Sequence, residues 1–153
     1  MPRREPIYID FRPSDRAAVL ARMDQLGKDA NGWLNLKPAL EEDEPPPPPS
    51  LFGFLSAKGP EVPLCTWVPG QPEQVGIQHP AGRKGAEVLR NLGVPVPDGW
   101  RVTQDHSRRG LVAVVPEGTA HETVLDWLLR AGTALAADLS LAGWWRAAVY
   151  ERG

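Results

Sequence analysis

The residues whose types and spacing best suit chemistry lie between positions 79 and 110. His79 precedes Gly82-Arg-Lys-Gly85, and Asp105-His106 precedes Ser107-Arg-Arg-Gly110. Six basic and three acidic residues fall in this stretch, a local +3 in a chain of formal charge −2. Glycines let backbone approach a ligand closely, a helix start offers N–H groups, and guanidinium groups complement phosphate or carboxylate. The pattern points to an anion held by His79, Gly82, Arg83, Lys84, Gly85, His106, Arg108 and Arg109. Protonation of the two imidazoles would strengthen such binding below about pH 6.5.

Other chemistries find less support. His106 and Ser107 are chain neighbours, and neighbours on a strand face opposite ways, so they form no nucleophile–base pair. His79, His106 and Asp105 match no metal-ligand spacing. Glu41 to Glu44 lack the shaping glycine of a calcium loop. Cys65 sits among Leu64, Trp67 and Val68, where a buried, inert thiol is expected. His121, at a helix start, reads as incidental. Phosphate-loop, dinucleotide and nucleophile-elbow motifs are absent from the sequence. The expectation is a non-catalytic binding or interaction module for a small anion or a protein partner, with no cofactor and no metal; a small enzyme ranks below it.

Val75-Gly76, then Gly82-Arg-Lys-Gly85, then Ala86-Glu-Val-Leu-Arg-Asn-Leu92 resembles the clamp and following helix of the KH domain. The resemblance continues through two strands and a capped helix, Trp100 to about Asp138. It implies a loop gripping the backbone of about four nucleotides of single-stranded nucleic acid. Pro80 stands where that family has a helix.

Positioning these residues requires a particular order of elements. Ile7–Phe11 is β-prone, and Ser14 with Asp15 suits a helix start. Val19, Met23 and Leu26 follow at helical spacing, with Gly27 as the expected stop. Asn31-Gly32 turns into an alternating strand, Trp33–Leu36, and Leu51–Ser56 with Val62–Val68 reads as a hairpin. The second half is β-α-β-β-α-β: strands near 75–79, 100–105, 111–115 and 144–150, helices over 82–92 and from Thr119-Ala-His-Glu122 to about Asp138. That order is the ferredoxin-like signature. Its first two strands run parallel with the third between them, so their ends share an edge about 10 Å apart.

The halves also share landmarks. Leu26-Gly27 and Asn31-Gly-Trp33 match Leu92-Gly93 and Asp98-Gly-Trp100, at offsets of 66 and 67 residues. The expected architecture is therefore α+β: a ferredoxin-like lobe over residues 74–153, packed with a related, degenerate βαβββ lobe over 1–73. The lobes would meet face to face or join in one sheet with helices on one side. Within the first lobe, the acidic and proline-rich loop at 41–49 is a solvated, polyproline-type connector. Trp144-Trp145 must send one ring to each face of its strand, one to the core and one to a lobe interface or partner.

The composition fits this plan. At 153 residues, 42% hydrophobic and 24% charged, the chain can bury a core. Its near-neutral charge argues against wholesale binding to DNA or acidic membranes, and one cysteine excludes an intrachain disulfide. No signal-like apolar stretch follows Arg3-Arg4, so a cytoplasmic location is expected.

Overall fold

The computed structural model describes residues 5–41, 62–79, 83–107, 109–137 and 139–151. The acidic and proline-rich connector and the strand expected at 51–56 fall mainly or wholly outside the described residues.

Among the described residues, seven strands form one antiparallel sheet: β1 (Ile7–Phe11), β2 (Gly32–Leu40), β3 (Leu64–Val68), β4 (Glu73–Gln78), β5 (Arg101–His106), β6 (Gly110–Val115) and β7 (Leu141–Glu151). Their spatial order is β1-β7-β2-β3-β4-β6-β5. The same described residues hold three helices: α1 (Ala17–Asp29), α2 (Gly85–Asn91) and α3 (His121–Leu135). It is a mixed α+β architecture. Among the described residues, no helix is long and apolar enough to cross a membrane.

Period-two alternation builds the core. Leu36, Cys65, Ile77 and Leu111 form one cross-strand row, and Leu34, Trp67, Val75 and Ala113 form the next. All eight are at most 2% exposed. The apolar stripe of α3, including Val124, Leu125 and Leu128, covers the middle of these rows over β2 and β3. Helix α1 packs beside it over β1, β2 and β7, and α2 on its other side over β5 and β6. The helices thus form a single layer on one face.

The ferredoxin-like expectation fails at the closing strand. In that topology β7 would lie beside β4; instead it pairs with β1 and β2. The edge of β4 is already taken by β3, joined to it by the four-residue Pro69–Pro72 turn. A short loop closes at small entropic cost, so this hairpin prevails over a distant pairing. It also bridges the expected 73/74 boundary. The sheet is continuous across that boundary, and neither half keeps its strands to itself. In the observed order β7 lies between β1 and β2, and β6 lies between β4 and β5.

The landmark glycines are not equivalent. Gly93 lies just past α2 with φ 81°, but Gly27 lies inside α1, which ends at Ala30 in the left-handed region. Gly27 serves packing, because a Cβ there would lie 3.1 Å from the His121 ring. The expected caps also differ. Helix α1 begins after Arg16, whose Nε donates to the Pro13 carbonyl, and α3 begins after Ala120. Thr119 donates its hydroxyl to the Pro116 carbonyl at 2.7 Å and so closes a turn.

Candidate functional site

The strand ends do meet. Strands β4 and β5 are both antiparallel to β6, hence parallel to each other, and Ile77 and Asp105 flank the same residue, Leu111. His79 and His106 therefore lie at one end of the sheet. Their environments differ sharply. His79 is 1% exposed, and a Cβ on Gly85 would lie 2.8 Å from its Nε2, so the imidazole is packed beneath the start of α2. His106 is exposed, and its Nδ1 accepts the Arg109 N–H at 3.2 Å. The Gly85 N–H donates to Asp105 Oδ1 at 2.7 Å.

That last bond bears directly on the expected anion clamp. Asp105 places the chain's own carboxylate on the N–H reserved for an external anion. Arg83, Lys84 and Arg109 are exposed around this edge, while Gly82 and Arg108 lie outside the described residues. The KH-like clamp is affected likewise, since its first glycine is Gly82 and its last is held by Asp105.

Burial lowers the His79 pKa from its ordinary 6.5, the nearby Asp105 charge opposing this. Protonation of His79 is thus moved to lower pH than the expected anion clamp assumes. A group harder to protonate folded than unfolded leaves stability level above about 6.5 and lowers it as pH falls through that value. The slope is at most about 1.4 kcal/mol per pH unit. NMR titration of the His79 ring should give a midpoint below 6.5. A midpoint at or above it would mean the ring is solvated or strongly paired.

The chain does hold an acid–base contact that its spacing concealed. Asp24 Oδ1 on α1 lies 2.6 Å from His121 Nδ1 on α3, and the imidazole meets Trp67 edge-on at 5.3 Å. His121 thus has a positioning role in joining two helices. The adjoining cleft, about 570 Å³, includes Trp67, Glu73 and Thr119. Glu73 holds the Trp67 indole N–H at 3.0 Å, and the Thr119 hydroxyl is committed to Pro116. Cys65 is fully buried, its pKa pushed up to about 12 by desolvation. Among the described residues, no group of three or more His, Cys, Asp or Glu is arranged to hold a metal.

A different cluster occupies the sheet face opposite the helices. Trp145 is 3% exposed and enters the core. Trp144 points the other way, half-buried, with Arg146 two residues on. The Arg146 guanidinium carbon lies 5.3 Å from the Tyr8 ring centre and 5.9 Å from that of Trp144. Two bonds to Asp10, 2.7 and 3.1 Å, fix its plane and hold the Asp10 pKa below the ordinary carboxylate value. Nearby, Trp33 and Tyr150 stack at 4.9 Å with planes 9° apart.

Between these rings runs a trough with a floor of modest side chains. Ala148, Asn35, Thr66, Gly76 and Val112 form one register row across five strands. Thr66 donates to Asn35 at 2.9 Å, tying the floor together. Two clefts of about 790 and 250 Å³ open along the trough and share Leu64. Lys37 and Arg146 line the larger, and Arg109 the smaller. Comparison of the chain with known protein families, curated proteins and solved structures gave no match.

Of this face, the sequence reading singled out Trp144 and placed Arg109 at the neighbouring edge. Tyr8, Trp33, Lys37, Arg146 and Tyr150 escaped it. The signal was present in β7, where Trp144, Arg146, Ala148 and Tyr150 alternate with Trp145, Ala147 and Val149.

Proposed function

We propose that the protein is a non-catalytic binding module whose ligand lies across the open face of the sheet. One observation carries this reading: Tyr8, Arg146, Trp144 and the Trp33–Tyr150 pair form an accessible cluster of planar groups on a face that no helix covers among the described residues. Tyr8 is 60% exposed. Tryptophan, tyrosine and arginine side chains are enriched among the residues that carry binding energy, and the two aromatics add large contact area at low entropic cost. Folding alone does not require them here, since the core closes on the opposite face. Arg109, expected at the anion edge, lines the same trough, so an anionic portion of the ligand has a cation within reach.

The test is a two-dimensional amide NMR titration with separate probes at millimolar concentration: nucleoside monophosphates, maltotriose and a short glutamate peptide. Binding should shift the amides of Asn35, Thr66 and Ala148 and the indole N–H signals of Trp33 and Trp144. Shifts confined to residues 83–85 and 106–109 would move the site to the strand-end edge. Absence of shifts with every probe would remove the reading.

A further inference from the structure

We infer that the trough accepts single-stranded nucleic acid, lying across the strands with bases stacked at the β1–β7–β2 end. This rests on the open-face reading and adds the ligand class to it.

Three features argue for it. The floor row runs perpendicular to the chain direction, from Ala148 on β7 to Val112 on β6, about 19 Å at ordinary inter-strand spacing. An extended polymer fits such a path better than a compact metabolite does. At one end, three kinds of flat surface stand together: the Tyr8 ring, the Trp144 ring and the Arg146 guanidinium, whose plane Asp10 fixes. Because every nucleotide carries a π-face, stacking on rings and guanidinium groups tolerates any sequence, whereas a peptide supplies flat faces only at its aromatic residues.

Charge supplies the third argument. Among the described residues, Lys37, Arg101, Arg109 and Arg146 share this face with the carboxylates Asp10 and Glu41. Among these residues the face is thus net positive, on a chain of formal charge −2. Asp10 already engages Arg146, which leaves Lys37 and Arg109 beside the trough to meet phosphates. A neutral glycan would use the rings and leave these cations without a role.

The experiment uses the full chain and a fluorescein-labelled twelve-residue thymidylate, followed by anisotropy at 50 and 200 mM NaCl. Saturable binding is expected, with quenching of tryptophan emission. Two phosphate contacts predict about a sevenfold loss of affinity between the two salt concentrations. The Tyr8→Ala/Trp144→Ala double variant should lose at least tenfold, given about 1–3 kcal/mol per stacked base. Lys37→Gln should weaken binding and flatten the salt dependence by about one ion. Circular dichroism and unfolding midpoints check that each variant remains folded.

Equal affinity for polyglutamate of the same length would overturn the assignment, because charge alone would then explain binding. So would unchanged affinity in the double variant, or no binding up to millimolar protein at 50 mM salt. If maltotriose or the glutamate peptide moves the trough amides while thymidylate does not, the ligand class is wrong and the open-face reading stands. If no probe moves them, both fall.

Discussion

Trp145→Ala is expected to cost about 3–5 kcal/mol of folding stability, the range for emptying a large aromatic site in a packed core. The same change at Trp144 should cost less than about 1 kcal/mol, the scale of an exposed cation–π contact. The two residues are adjacent in sequence and identical in type, so the contrast isolates the environment. Trp145 is 3% exposed, and its ring tip lies 2.6 Å from where a Cβ on Gly132 would stand. Helix α3 therefore presses its glycine directly onto that indole, and alanine at 145 leaves a void beneath the helix. Trp144 contacts Arg146 on the open face and, among the described residues, supports no second layer. Urea denaturation of both variants, analysed at constant m, measures the difference. Comparable losses at the two positions would mean that the open face is covered in solution, and the trough would cease to be a binding surface.

How far the sequence anticipated this arrangement depends on the range of the interactions involved. Local patterns were readable: α3 from its apolar spacing, the split β4-α2-β5 unit from its order, the burial of Cys65 from its neighbours. The meeting of the strand ends at His79 and Asp105 followed from that unit. Side-chain direction at a strand end was not readable, because it depends on where α2 settles. That is why His79 proved buried and Asp105 proved to bind Gly85. Long-range pairing was less accessible still. Nothing near β7 announces that it will lie between β1 and β2, and that placement assembles Tyr8, Trp33, Arg146 and Tyr150 from three separated segments. Asp24 and His121 are likewise 97 residues apart. A pattern confined to one window cannot reveal such partners.

The closeness of β6 to β4, which brings the strand ends together, can be tested at a single atom. Gly110 begins β6 with φ 90°, and an added Cβ would stand 2.3 Å from the Ile77 carbonyl oxygen. Two penalties follow for Gly110→Ala. The backbone conformation costs about 1–3 kcal/mol for a residue with a side chain. The clash adds about 1–3 kcal/mol more, since the obstacle is main chain in a five-residue ladder and cannot swing aside. A loss of about 4 kcal/mol is expected. Gly118 separates the two terms, for its φ is 86° yet nothing lies within 4 Å of its missing Cβ. Gly118→Ala should therefore show the conformational penalty alone, and the excess at Gly110 measures the contact with Ile77. Equal losses in matched denaturation curves would mean that β6 starts farther from β4 than the register requires. Arg109 would then no longer be anchored at the trough, and the strand ends carrying His79 and Asp105 would lose the hairpin that joins them.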